Sequence, residues 1–539
     1  MNKELANLVL EGLAERASVN RQATFLSEVE LDALRVLLGK DAIVKEQKKD
    51  NEIAEDSENL GEDEHFVVKW NPAQEIADEI HLCIDFGTSF SKAFACKGND
   101  PLETPELIDI ALSRDAPGAE KYLLPSELLV HEGKVHFGRT ARKLFEDLAA
   151  EQDRLIDNPK QYMTLTKEVA NLSKRMLSDK KDPTGLFSER DVLVLYLSHL
   201  IRMVDLSLDE MGVSNSLLTR YTHPAWDKRV AAENAKAMER IVSEAMALAR
   251  AYASDFESEL DAHRAAALLL AARKASNENL PFALLEEPVL EATAAGAGAL
   301  MDARPNGRQH FVILDIGAGT TDVGGCICVK RDEDHVSVWE IQSARDAKNL
   351  AGNMLDNALR KHILDQSSLA KGSSEYDQCD RALRKSIRAE KERLFDAGEI
   401  SVDLVTDELV DVSLNQFLAD PNVQKIFSAI NEMVVRAAFA VSEGTGRAFL
   451  VPTGGGAQLP IVKDLTSEPL ERDGKRLKLE LVEAMPELLR EAYPEIEPFY
   501  PQLAVSIGGA HPALPEQKES VDHFDRDPGK KTLAPVYRS

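Results

Sequence analysis

At 539 residues, 44% of them hydrophobic and 29% charged, the chain has the make-up of a folded protein with roughly two to four domains' worth of core. Its formal net charge of −28 argues against a general binder of nucleic acid or anionic membrane, whose phosphates it would repel. No apolar run approaches the roughly 18 residues of a membrane span, and an odd count of five cysteines points to a reducing compartment, with a cytoplasmic protein as the expectation.

In chain order, the opening "MNKELANLVLEGLAER" carries charges too often for a signal peptide. Residues 4–15 and 27–38 have helical periodicity, through Leu5, Leu8, Leu10 and Leu13, then Val29, Leu31, Leu34, Leu37 and Leu38. They are either a satellite packed on the main body or a docking module for a protein partner. From Lys45 to His65, "KEQKKDNEIAEDSENLGEDEH" reads as a flexible acidic linker. "HLCIDF" and "FVILDI" predict buried strands, and 228–275 predicts a long alanine-rich helical stretch. Alternation of short strands and long helices predicts a mixed α/β protein. Cys326 and Cys328 would share one strand face, but no second Cys/His pair accompanies them, so a metal is not expected there. From Pro515 onward no apolar period remains, and a tail is expected.

Two stretches carry the chemistry. "HLCIDFGTSFSKAFA" at 81–95 spells Asp85-Phe86-Gly87, the magnesium triplet of protein kinases. A kinase needs an ATP-binding lobe and an H-R-D loop before that triplet. Only 84 residues precede Asp85, and the nearest approximation, His263-Arg264-Ala265, follows it and lacks the aspartate. The second stretch, "FVILDIGAGTTDV" at 311–323, has the same form: apolar-Asp-apolar-Gly at a strand end, then small hydroxyl residues and another apolar segment. Both read as β-hairpins with glycine-bearing turns, not as the strand-to-helix turns of a dinucleotide fold. Their separation suggests two similar lobes facing each other.

Such turns suit a nucleoside triphosphate. Gly87, Gly317 and Gly319 let backbone N–H groups approach phosphate oxygens, and Thr88, Ser89, Thr320 and Thr321 add hydroxyl donors. A carboxylate meets phosphate through magnesium and its waters, so Asp85, Asp315 and Asp322 are the candidates for holding a hydrated ion.

With these motifs set in order, the chain resembles the actin-like ATPase superfamily, and within it the ATPase domain of DnaK-type, seventy-kilodalton heat-shock chaperones. Nine segments carry the likeness over about four-fifths of the chain, from 81 to 514. "IDFGTSFSKA" and "LDIGAGTTDVG" resemble the two phosphate loops. "LPSELLVHEGKVHFGRTA", with Pro125-Ser126 and Phe137-Gly138, and "RYTHPAW" at 220–226 resemble segments of the first lobe. "LLEEPVLEATAAG" places Glu287 and Pro288 at the family's magnesium-facing pair. "NLAGNMLDNAL" supplies Gly352 beside the nucleotide, and "SIRAEKERLF" supplies Lys391 on the adenosine-clasping helix. "FLVPTGGGAQLPIVKDL" supplies Gly454, Gly455 and Gly456, and "LAVSIGGAHPAL" resembles the closing helix.

The resemblance implies a two-lobed actin-like fold, with ribonuclease-H-like duplicated lobes and an N-terminal helical extension. The expected boundaries are 1–66 for the extension and linker and 67–300 for lobe I, with a helical insertion near 240–280. Lobe II and the closing helix span 301–514, and a tail spans 515–539. It implies binding of Mg-ATP or Mg-ADP and slow hydrolysis of ATP, as a switch acting on a protein partner. Asp315, Thr320, Asp85, a lysine and Glu287 are the implied catalytic set. The lysine is open between Lys92, at the actin-type position, Lys167, eight residues after Pro159 as in the chaperones, and Lys174, whose "LSKRML" has the chaperones' local wording; Lys92 is favoured because its hairpin anchors it.

Departures fall on the base half. Glu392 replaces a basic residue, Phe395 a serine and Gln458 the base-stacking arginine. Only 25 residues follow Leu514, where the family keeps its client-binding part, so an ordinary client cycle is not expected and the partner is assigned to the N-terminal helices or the helical insertion. The competing readings are a filament-forming or plasmid-segregation ATPase, a sugar or acetate kinase for which no acceptor base is evident, and a nucleotide-binding pseudoenzyme.

Overall fold

The computed structural model describes residues 66–70, 76–98, 106–148, 154–223, 226, 229–301, 307–332, 335–442, 444–511 and 516–518. The helices expected over 4–15 and 27–38, and the acidic linker, lie outside the described residues. The chain divides into two compact units, Met1–Phe66 and Val67–Ser539, and the second carries every element below.

It is a mixed α/β unit. The first stretch contains β1 (Ala77–Asp85), β2 (Phe90–Lys97), β3 (Glu106–Ile108), β4 (Leu124–Pro125), β5 (Leu128–His131), β6 (Lys134–Phe137), α1 (Gly138–Asp147), α2 (Gln161–Leu165), α3 (Glu189–Met211), β7 (Leu217–His223), α4 (Ala231–Ala251), β8 (Glu259–Asp261), α5 (Ala262–Lys274), β9 (Val289–Leu290) and α6 (Glu291–Met301). There follow β10 (Gly307–Ile316), β11 (Thr321–Asp332), β12 (His335–Ile341), β13 (Asp346–Lys348), α7 (Gly352–Gln366), α8 (Ser374–Ala397), β14 (Glu399–Asp403), β15 (Leu409–Ser413), α9 (Pro421–Val441), β16 (Arg447–Thr453), β17 (Leu470–Arg472), β18 (Lys475–Leu481), α10 (Tyr500–Ala510) and β19 (Glu516–Lys518).

The two large sheets repeat one plan. In the first the order is β3-β2-β1-β7-β9, with β1 antiparallel to β2 and parallel to β7. In the second the order β12-β11-β10-β16-β18 repeats it, with β10 antiparallel to β11 and parallel to β16. The outer pairs match as well: β3 and β12 are antiparallel to their neighbours, β9 and β18 parallel to theirs. Each central strand therefore carries an aspartate at its hairpin end: Asp85 is the last residue of β1 and Asp315 the last but one of β10.

The run "FVILDI" is apolar throughout because both faces of β10 are covered. Val312, Leu314 and Ile316 join one core with Leu359 of α7, Ile387 of α8 and Ile430 of α9. Phe311 and Ile313 join another with Ala292 of α6 and Leu503 of α10. Strand periodicity of two divides the run between these cores.

Two expectations need correction. Residues 228–275 are not one helical stretch. The chain turns after Ala251, buries Phe256 in a short 3₁₀ turn and adds β8 to β6. Asp261 then caps α5, accepting from the Arg264 N–H at 2.9 Å. Serine and aspartate in "SDFESELD" compete with helical hydrogen bonding and stop the alanine-rich periodicity there. The expected tail contributes a strand, β19, which pairs parallel with β12.

Candidate functional site

The first hairpin sets Asp85 opposite Lys92. Lys92 Nζ donates to Asp85 Oδ2 at 3.0 Å, and Thr222 Oγ1 of the parallel neighbour β7 donates to Oδ1 at 3.2 Å. Both oxygens of Asp85 are thus engaged within the protein.

The second hairpin sets Asp315 opposite Asp322. Thr320 precedes Asp322 by two residues, and its hydroxyl is the weakest of the influences on that carboxyl, favouring the ionised form. Asp315 Oδ1 and Asp322 Oδ2 are buried without a hydrogen-bond partner. Beside them lies a buried ion pair that joins distant segments: Lys160 Nζ, just before α2, donates to Glu291 Oε1 of α6 at 2.5 Å. These side chains are 3% and 6% exposed.

Burial, with the Glu291 and Asp85 carboxylates close by, pushes Asp315 up to about 7; Lys92 and Lys160 oppose the rise. Asp322 is raised by the same burial and by Glu291 and Asp315. Burial works against the charged form of Lys160, but Glu291, Asp85 and Asp322 outweigh it and raise its pKa. Four carboxylates, Asp85, Glu291, Asp315 and Asp322, face two ammonium groups, Lys92 and Lys160; fully ionised, the cluster carries a net −2.

That imbalance yields a prediction. The native carboxyl of Asp315 binds a proton more tightly than the unfolded one, whose pKa is near 3.8. Its contribution to stability is therefore fully present below pH about 4 and is lost as pH rises towards about 7. The loss is on the order of a few kcal/mol. Melting temperatures measured in a chelator across that window should fall for the parent and fall less for Asp315→Asn; parallel profiles would refute the assignment.

The two turns touch. A Cβ on Gly319 would lie 2.5 Å from Thr88 Cγ2, so glycine is needed where the second turn meets the first. Gly454 has φ +78°, and a Cβ there would lie 2.4 Å from Asp315 Oδ1. The neighbouring Gly456 N–H donates to the Ile316 carbonyl at 2.9 Å, while Gly455 faces open space. Gly352 N–H donates to the Gly317 carbonyl at 3.2 Å. Helix α8 presents two cations three residues apart, one to the first turn and one to the start of α7, which bonds to the second. Arg388 donates to Ser89 Oγ and lies over the Phe90 ring, while Lys391 donates to the Gly352 carbonyl at 3.3 Å and pairs with Asp356 at 2.7 Å.

Asp85, Lys92, Thr88, Ser89, Gly87, Asp315, Thr320, Asp322, Gly317, Gly319, Gly352, Lys391 and Gly454 are thus brought to one region. Other expected residues are not. Glu287 is exposed, and no described contact ties it to the carboxylates; Glu291, one turn further along, holds the buried position. Thr321 is fully buried and donates to the Leu350 carbonyl, so its hydroxyl braces the chain instead of facing a ligand. Lys167 and Lys174 are exposed, the latter donating to Asn171. On the base half, Glu392 and Gln458 are exposed, and Phe395 packs edge-on against Phe417.

Sequence reasoning missed Lys160, Glu291, Thr222 and Arg388. The one signal was for Arg388, which precedes Lys391 by three residues and so shares its helix face, although nothing local turns that face towards a hairpin.

Among the described residues no three carboxylate, imidazole or thiol side chains converge to ligate one ion directly. With Asp85 engaged by Lys92 and Thr222, the oxygens open to a ligand are those of Asp315 and Asp322. Two orphaned carboxylate oxygens in a cluster of net −2 suit a divalent ion held through its water shell. The chain matches no protein-family model and no curated protein.

Proposed function

We propose that the chain is an actin-like ATPase of the DnaK type, binding Mg-ATP or Mg-ADP between two lobes as a switch that acts on a protein partner. The observation that carries this reading is the repeated sheet plan, in which each central strand carries an aspartate at its hairpin end and leads into a glycine turn, with the two turns in contact at Thr88 and Gly319. Duplicated lobes sharing one ligand between paired hairpins are what the sequence resemblance implies.

In this reading the phosphates lie along the N–H groups of both turns. Asp315 and Asp322, together with Asp85, would hold hydrated magnesium, which when bound would neutralise phosphate charge and favour attack at the terminal phosphoryl group. Asp315 and Thr320 orient the attacking water. Lys92 and Lys160 supply positive charge to the terminal phosphates. Lys160 replaces Lys167 and Lys174 as the second lysine because it is the one buried against the carboxylates.

The test is release of phosphate from Mg-ATP by the purified chain, together with Lys92→Ala. That variant should weaken ATP more than ADP, because the charge met by Lys92 is largest with the γ-phosphate present. Absence of both nucleotide binding and hydrolysis in the parent would defeat the reading. Equal losses for ATP and ADP would move the γ-phosphate contact from Lys92 to Lys160.

A second reading, a filament-forming actin homologue, is favoured by one observation: Lys92 lies at the actin-type position and pairs with Asp85. Nucleotide-dependent sedimentation separates it from the chaperone-like switch.

A further inference from the structure

A buried cluster of hydroxyl groups braces the first turn. Tyr196 of α3 donates from its phenol to Ser91 Oγ of β2 at 3.0 Å. Ser91 Oγ lies 3.1 Å from Ser126 Oγ, in the segment after β4. Ser126 Oγ donates to the Gly87 carbonyl at 2.7 Å. All three residues are fully buried. With the Ser126 proton given to the Gly87 carbonyl, Ser91 donates to Ser126, and the Tyr196 phenol, which also lies 3.3 Å from Ser126 Oγ and 3.5 Å from the Leu124 carbonyl, has only acceptors around it. Ser126 also donates its backbone N–H to the Ser89 carbonyl at 2.9 Å. One residue thereby fixes two carbonyls of the turn.

A trans peptide points its carbonyl and the following N–H in opposite directions. With the Gly87 and Ser89 carbonyls drawn towards Ser126, the N–H groups of Thr88 and Phe90 point away from it. The second turn reaches the same result by other means. The Gly317 and Ala318 carbonyls accept from the N–H groups of Gly352 at 3.2 Å and Asn353 at 2.7 Å, at the start of α7. The N–H groups of Ala318 and Gly319 are therefore turned the opposite way. A helix start orients one turn, and a hydroxyl relay orients the other.

We propose that the Tyr196–Ser91–Ser126 relay is a positioning network that preorganises the first turn for the phosphate groups of a nucleotide. It rests on the nucleotide reading above. The network touches no ligand; it holds the peptide units so that their N–H groups need no reorganisation on binding, which is where such donors draw most of their strength. Tyr196 has a large share in this because its ring stacks on Phe86, at 5.4 Å between centroids, and so braces the turn from both its ring and its hydroxyl.

The test compares the affinities of the full chain, Ser126→Ala and Tyr196→Phe for Mg-ADP and for adenosine. Removing the last donor should weaken Mg-ADP by roughly tenfold, the order of one lost hydrogen bond, while leaving adenosine unchanged. Tyr196→Phe should give a smaller loss of the same kind, since the bond to Gly87 survives it. A general packing defect would weaken both ligands by the same factor, and that outcome overturns the proposal. So does a parent-like Mg-ADP affinity in Ser126→Ala, or in Tyr196→Phe should the serine variant prove insoluble. A parent that binds no Mg-ADP at all overturns the nucleotide reading itself, a result distinct from either of these.

Discussion

Replacing Asp315 by asparagine is expected to lower single-turnover hydrolysis of Mg-ATP by about 10²–10³-fold, the usual loss for one preorganised electrostatic partner at a reacting centre. Asparagine keeps the shape of the side chain, so the hairpin pairing of Asp315 with Asp322 and the contact with Gly454 survive. What disappears is an oxygen that is buried and unpartnered and a carboxyl that titrates near 7. The same exchange removes a repulsive charge from the cluster, so the variant should be at least as thermostable as the parent in a chelator. Loss of activity with gain of stability is the pattern of a functional group held against its own preference. An unchanged hydrolysis rate in Asp315→Asn would remove Asp315 from the catalytic set.

The second large effect concerns Lys160. Its pair with Glu291 joins residues 131 apart in sequence, and both side chains are almost wholly buried. Lys160→Met leaves Glu291 as an uncompensated buried charge, an error of about 3–5 kcal/mol, visible as a clear fall in the thermal midpoint. Lys160→Met combined with Glu291→Leu removes both charges and should recover most of that midpoint, because well-packed apolar replacements of buried pairs are often neutral or stabilising. On the proposed role of Lys160 at the terminal phosphates, hydrolysis should be lost in both variants. A double variant with parent-like turnover would reduce the pair to a structural brace.

These predictions differ in how far the sequence alone led to them. Asp85, Lys92, Asp315 and Asp322 were legible because a hairpin is a local object. Alternating apolar residues, a glycine turn and a second strand determine which residues oppose each other, so seven positions in the chain bring Asp85 to Lys92 and Asp315 to Asp322. The likeness between the two hairpins also pointed to a repeated plan, and the mixed α/β class followed from the alternation of strands and helices. Helix α8 was legible as the bearer of Lys391. Its arginine at 388 was passed over, because an exposed helix face and a face turned to a hairpin tip have the same spelling.

What the local pattern leaves open is burial. Lys160 follows Asn158 and Pro159 in a polar segment, and by composition it reads like any solvated lysine. Glu287 and Glu291 both border the same short strand and helix start; only packing puts the first in solvent and the second against Lys160. Thr321 carries the hydroxyl that the turn chemistry asked for, but the strand's alternation points it into the body, towards Leu350. Ser91, Ser126 and Tyr196 come from separate elements, and nothing in their neighbourhoods marks them as one relay. The sequence by itself determined the two aspartate hairpins, because backbone pairing and turn geometry are set by residues within a few positions of one another. The tertiary structure alone decided which lysine and which glutamate join them and where the protons reside. Desolvation and charge-to-charge distance are properties of segments brought together from more than a hundred residues away.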